Sequence, residues 1–422
     1  MQATTRALDH LLCAVGDPVG ELAHVVPGHP EFDRAQMIRA AVGVLAKTPD
    51  TFPAIADAIR TLPGYPVSAR TRAHFAAAAA WIGGDPVLAA ESYASIVSEW
   101  PTDLLALRLA QSCYFFVGWH DRQCAVVDAA MPAWRRDHPA FRFVRAMASF
   151  AHAESGDAAY AEALGRQALA GNPACPVGVH AVAHAIAESG RHGFGAQWMR
   201  EQRDHWMGES RMRTHNAWHL AMFDAEEGNF ASALRILDDW LLPASARSPL
   251  EACDATGLLW RLASEKIVDP SRWDRLSDAF EHALSPGFWP FVDLHAALTH
   301  LIAERHERLQ RLAESIGERA VGHDYAALRV RRITQPMLQA LRARFEGRYL
   351  EAAALLARLE PVISHAGGSR IQLEIFRSLA NDTLASQRSV HHAPQPASAK
   401  GDLSWNKAAT TDRVFAAQSS SP

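Results

Sequence analysis

The sequence predicts an all-α protein, an α-α superhelix of tetratricopeptide-like helix–turn–helix repeats, and three observations carry that prediction. Alternating β-branched runs are scarce, whereas Ala, Leu and Arg dominate, with apolar residues three and four apart. Turn glycines fall at Gly84, Gly118, Gly156, Gly190 and Gly228, with gaps of 34, 38, 34 and 38 residues, the spacing of a repeated helix pair. The detail within a unit also recurs. Gly84 is followed five, nine and seventeen residues on by Ala89, Tyr93 and Pro101, and Gly156 to Pro173 repeats the seventeen-residue gap. The glycine accepts a left-handed helix end, the small residue lets two helices cross closely, and the proline stops the second helix.

In chain order, residues 1–35 read as an N-terminal helical cap and residues 36–384 as the repeat domain. "EGRYLEAAALLARLEP", with Gly347, is one more copy of the turn. The 119 residues from Gly228 to Gly347 leave room for about three degenerate units, with turns expected in "KIVDPSRWDRL" and "LIAERHERLQRL". From 385 to 422 the chain becomes polar and rich in Pro, Ser and Ala, the composition of a disordered tail.

With 42 basic against 46 acidic residues and a net charge of −4, the chain carries no basic cluster suited to a phosphate backbone, so no nucleic-acid partner is expected. Neither a signal peptide nor an apolar run of about 18 residues is present, so no membrane partner is expected either. Five scattered cysteines without C-x-x-C spacing fit reduced, cytoplasmic thiols. No G-x-G-x-x-G after a strand, no P-loop and no G-x-S-x-G occurs, which leaves nucleotide and flavin cofactors and a hydrolase elbow unsupported.

The chemistry lies in the 21 histidines. "HAVAHAIAESG" places His180 and His184 ten and six residues before Gly190, and "HNAWHLAMFDAEEG" places His215 and His219 thirteen and nine before Gly228. His74 lies ten before Gly84. Offsets that differ by three, four and seven share one helix stripe, and the first helices of such repeats line the concave wall. Histidines of neighbouring units should therefore face a common groove. Asp293 and His295, in "FWPFVDLHAALTH", are the further polar pair expected to approach them. Imidazoles with a carboxylate suit zinc, iron or manganese. The H-E-x-x-H glutamate is missing, so the metalloprotease reading fails on its own motif. The alternative is a set of buried histidines hydrogen-bonded to one another and to Asn216 or Asp293, holding helices in register. Trp218, between His215 and His219, is either a pocket flank or a core filler. Gly367-Gly368-Ser369 opens a helix whose free N–H groups suit an anion, or else it is a tight loop before a capped helix.

Together "PTDLLALRLAQSCYFFVGW" (101–119), the two paired-histidine segments and "GGSRIQLEIF" (367–376) resemble the tetratricopeptide repeat protein 38 family, over about residues 75–380. The resemblance implies a helical repeat fold and cytoplasmic placement. It implies no settled activity, and bacterial relatives give only a lead towards oxidative natural-product chemistry. Its matching positions are His180, His184, His215, Asn216, His219, Asp293, His295, Gly367, Gly368, Ser369 and Gln372. Gln111 departs from it, standing where the family tends to carry a histidine, and the C-terminal tail is unlike the family's final helix.

Two functions are carried forward. One is a repeat module whose histidine-lined groove binds a peptide, protein or small-molecule ligand. The other is a metal-dependent or acid–base enzyme on a small molecule, with His180, His184, His215, His219, Asp293 and His295 as the catalytic set. The four paired histidines are the candidate ligands of a divalent metal. His74, Asn216, Trp218, Gly367, Gly368, Ser369 and Gln372 are the candidate ligand contacts. Histidine in place of the Lys, Arg and Asn clamps of peptide-binding grooves points to a small molecule or a metal.

Overall fold

The computed structural model describes residues 2–61, 67–263, 268–283 and 285–392. Consecutive helices pack on one another throughout, as an all-α repeat superhelix. Among the described residues the only β pairing is an isolated bridge between Val15 and Ser210. The central helix pairs are Ala69–Ile82 with Pro86–Glu99, Leu104–Val117 with His120–Ala130, Phe141–Ser155 with Ala158–Gly171, and Pro176–Glu188 with His192–Glu201. Arg213–Glu226 follows, then Pro249–Ala263 and Pro290–Ile302, each again the first helix of a pair. No described helix is long and apolar enough to cross a membrane.

The turn glycines mark the register as the spacing requires. Gly84, Gly118, Gly156, Gly190, Gly228 and Gly347 all have φ between 70° and 95°, a region in which a Cβ would crowd the backbone. The degenerate stretch has a physical reason for hiding its turns. Between Pro290–Ile302 and His306–Ala320 the left-handed position is taken by Glu304, at φ 55°, so the turn forms without its glycine marker. The turn expected in "KIVDPSRWDRL" falls partly on residues 264–267, outside the described residues.

Two helices carry wide π turns, Leu237–Leu241 and Val330–Thr334, directly before segments containing Pro243 and Pro336. A wider turn accommodates a residue that has no N–H and a bulky ring.

Helices near both ends of the described chain pack against the repeat helices. Helix Ala3–Cys13 packs on Pro176–Glu188. The strand-like segment after it is held by Arg211, whose N–H donates to Ala14 O at 2.9 Å and whose Nη1 donates to Gly16 O at 3.0 Å. Helix Arg370–His392 packs on Pro249–Ala263 and Pro176–Glu188 from the other side. Helix therefore continues past residue 385, where the sequence turns polar, and residues 393–422 of the expected tail lie outside the described residues.

Candidate functional site

Successive first helices each turn one stripe towards a shared cavity of about 270 Å³. Arg108, Gln111, Ser112 and Phe115 come from Leu104–Val117, and Phe143, Ala146, Met147 and Phe150 from Phe141–Ser155. Both sets are spaced i, i+3, i+4, i+7, one face of a helix. Val177, His180 and His184 continue the wall, followed by Met212 and His215, and then Leu250, Glu251 and Asp254. Ser369 and Gln372 close it from the terminal helix, while Leu12 and Lys47 close it from the N-terminal helices.

The four paired histidines meet at this wall. Each offers a ring nitrogen, and those atoms lie within 4.8 Å of one another. His180 Nε2 and His215 Nε2 are 3.1 Å apart. His184 and His219 are almost fully buried, with ring centroids 4.6 Å apart. Phe150 stacks on His180, and Trp218 stacks on His215 with ring centroids 5.1 Å apart. Trp218 thus backs the histidines instead of lining the cavity.

Two carboxylates that the sequence did not single out orient the rings. Asp254 Oδ2 lies 2.6 Å from His215 Nδ1. A carboxylate can only accept here, so Nδ1 carries the proton and the Nε2 lone pair faces the cluster. Asp254 Oδ1 accepts from Gln372 Nε2 at 2.7 Å, which fixes the carboxylate in turn. Glu154 Oε1 lies 2.8 Å from His184 Nδ1, off the line of a full hydrogen bond. Its other oxygen accepts from Arg370 N at 2.7 Å. Burial works against ionising Glu154, yet His184 and that N–H hold its carboxyl below the usual range. Burial lowers the His184 pKa, with Glu154 pulling the other way. Burial, reinforced by the neighbouring imidazoles, holds His180 and His219 well below the ordinary range, which favours the neutral rings. The buried Nε2 of His219 has no hydrogen-bond partner.

Several expected contacts take other roles. Asp293 and His295 do not join the cluster. Asp293 accepts from Gly287 N at 3.1 and 3.2 Å and is pushed up to about 7 by burial, against those bonds and Arg329. His295 Nδ1 lies 2.7 Å from Phe291 O, its ring is flanked by Phe291 and Phe376, and burial pushes it down to about 4. The helix-start carbonyl and the two phenyl rings claim this pair before it can reach the groove. His74 is likewise removed from the pocket. It pairs with Asp103 at 2.8 Å, and Asp103 caps the next helix through Ala106 N. Asn216 is buried and donates to Pro176 O at 3.1 Å, so it sets the register of two helices instead of touching a ligand.

At the 367–369 loop both sequence readings come together. Ser369 and Gln372 form a capping box, Gln372 N donating to Ser369 Oγ at 3.2 Å and Ser369 N to Gln372 Oε1 at 3.1 Å. The helix N-terminus does hold a carboxylate, that of Glu154. Gly367 (φ 83°) and Gly368 (φ 85°) are required by closeness as well as conformation. A Cβ at Gly367 would lie 2.3 Å from Phe116 O, and one at Gly368 2.6 Å from the Phe291 ring. Buried Arg329 braces the loop, donating to Phe116 O at 2.7 Å, Ala366 O at 2.9 Å and His365 O at 3.1 Å. Gln111 exchanges hydrogen bonds with the Gln123 backbone and side chain at 3.2 and 3.3 Å, so it lines the pocket without adding a ring nitrogen.

No family model matches the chain.

Proposed function

We propose that this protein binds one divalent transition metal through His180, His184, His215 and His219 and acts as an enzyme on a small molecule held in the adjoining cavity. The observation that carries the proposal is the convergence of four imidazole nitrogens within 4.8 Å. Two of those rings are backed by carboxylates at Nδ1, the outer-shell arrangement that orients metal-bound imidazole. The 3.1 Å separation of the two Nε2 atoms is close to the roughly 3.3 Å expected between nitrogens bound tetrahedrally at 2.0–2.1 Å. The orphaned Nε2 of His219 also gains a partner in this reading. An all-imidazole set accepts zinc, iron, manganese or copper. When bound, the metal would supply Lewis acidity or a lowered pKa for its water. The chain's own part is to fix the rings through Asp254 and Glu154 and to hold the substrate against the Phe115, Phe143 and Phe150 wall.

The histidine cluster beside a cavity of about 270 Å³ favours a small molecule over an extended peptide as the partner. Kinship with the tetratricopeptide repeat protein 38 family and a cytoplasmic setting remain part of the proposal. The latter is supported by five free cysteines, four of them buried. Elemental analysis of purified protein tests the metal. Wild type should hold about one transition metal per chain, and His184→Ala and His219→Ala should lose it. A specific geometry favours a second reading, the Asp254–His215–His180 chain with its 2.6 and 3.1 Å contacts. It could relay a proton as acid and base without a metal. Metal-free wild type that takes up no zinc, iron, manganese or copper would leave that reading standing and end the first.

A further inference from the structure

We infer that Lys47, Arg108 and Ser112 form an oxyanion subsite in the same cavity, and that its ligand is a small organic anion whose carboxylate or phosphate docks there while its apolar body runs along the phenyl wall towards the histidines. The inference rests on the cavity being a ligand site and does not depend on the metal.

Three side chains from two separate parts of the chain face this cavity. Arg108 and Ser112 lie one turn apart on Leu104–Val117, and Lys47 ends the helix Phe32–Ala46. All three line the cavity. Buried or half-buried cations are normally matched by a carboxylate, because leaving such a charge unpaired is costly. Among the described residues neither Lys47 nor Arg108 forms an ion pair. The Lys47 ammonium has only a long contact, 3.4 Å, to Leu45 O, and Phe115 lies with its ring centroid 5.8 Å away. Burial pushes Lys47 down to about 7, with Arg108 adding to the shift, and pushes Arg108 down to about 10. The only other titratable neighbour acting on both is the Cys113 thiol. Ser112 is 3% exposed, and its Oγ has no hydrogen-bond partner.

The remaining charges around the cavity are already committed. Arg211 is spent on Gly16 O and His10 O. Asp254 is held by His215 and Gln372. Burial raises the Glu251 carboxyl towards its neutral form. Two basic side chains therefore lack a counter-charge and one buried hydroxyl lacks a hydrogen-bond partner, and an anionic ligand supplies both. Lys47 also sits in the left-handed region, at φ 53°, where glycine would be unstrained. His180, His184 and His215 line the same cavity, so the subsite and the histidine cluster share it.

Calorimetric titration of the full chain tests this, on protein as purified and after chelator treatment. The probes are benzoate, phenylacetate and phenyl phosphate, with benzamide and benzyl alcohol as neutral counterparts. The anions should bind and the neutral probes should not, and the preference between carboxylate and phosphate assigns the headgroup. Lys47→Met and Arg108→Gln should each weaken anion binding by about 10- to 100-fold. Their ligand-free melting temperatures should equal or exceed that of wild type, since an unpaired charge has gone. Failure of the metal reading leaves the chelator-treated titrations unaffected. Four results would overturn the subsite: neutral probes binding as well as anions, no anion binding at all, anion binding only to metal-loaded protein, or ligand-free variants that melt lower than wild type.

Discussion

Asp254→Asn probes the outer shell of the histidine cluster with almost no change of shape. Asp254 Oδ1 accepts from Gln372 at 2.7 Å and Oδ2 faces His215 Nδ1 at 2.6 Å. In the variant the amide oxygen can satisfy only one of these donors, so an N–H group must face another N–H. If the oxygen stays with Gln372, His215 relieves the clash by moving its proton to Nε2, which withdraws the lone pair aimed at His180 and the metal. If the amide flips, Gln372 loses its acceptor and the terminal helix loses its hold on the site. A charge-assisted hydrogen bond of this kind contributes about 1.5–3 kcal/mol, which corresponds to roughly 10- to 100-fold in metal affinity. Competition with a chromophoric chelator for zinc measures that affinity directly. The metal-free melting temperature should change little where the oxygen stays with Gln372, because the amide N–H then donates to His215 Nδ1 and no donor is stranded. Unchanged zinc affinity in Asp254→Asn, beside its loss in His215→Ala, would refute the orienting role of the carboxylate.

Three further perturbations follow from the same contacts. Gly367→Ala should lower the melting temperature by several degrees in a thermal scan, since its Cβ would sit 2.3 Å from Phe116 O and its backbone is left-handed, a combined cost of at least about 2–3 kcal/mol; an unchanged transition would contradict the close packing. Arg329→Met strands three buried carbonyls and should cost about 3–5 kcal/mol in denaturant unfolding, while also weakening zinc binding through the loop that seats Gln372; loss of stability without any change in zinc affinity would disconnect the loop from the site. Acid should destabilise chelator-treated protein. Burial holds His295 and His300 down at about 4, whereas the unfolded chain protonates near 6.5, so their contribution is complete above about 6.5 and is lost as the pH falls towards 4. Asp293, pushed up to about 7, acts in the opposite direction, and its stabilisation fades as the pH rises towards 7. With two groups against one, the melting temperature should drop between about pH 6.5 and 5, more steeply in Asp293→Asn; a flat profile would contradict the burial of these imidazoles.

The architecture was largely legible because the signals were local. Glycines that end helices and prolines that stop them act within a few residues of where they stand, so Gly84 to Gly228 could be placed by counting. Glu304 shows the limit, since a left-handed turn without glycine leaves no mark in the sequence. The four histidines were found for the same reason, as offsets differing by three, four and seven put them on one stripe. Asp254 and Glu154 were missed because their partners lie 39 and 30 residues away, on other helices. Asp293 looked equally suitable in sequence, but it is claimed by Gly287, six residues before it. His74 had the right offset, but Asp103 reaches it first. Packing of the N-terminal segment on the repeats depends on contacts such as Arg211 with Gly16, almost 200 residues apart, and no periodicity could reveal them. Lys47 and Arg108 are conspicuous only once their lack of partners is known.

Anomalous diffraction from metal-loaded crystals, collected at the absorption edge of the metal, tests the central claim most directly. The account predicts one peak per chain, lying about 2.0–2.1 Å from ring nitrogens of His180, His184, His215 and His219. A peak at any other place in the chain, or no peak among these four rings in fully loaded protein, would contradict it.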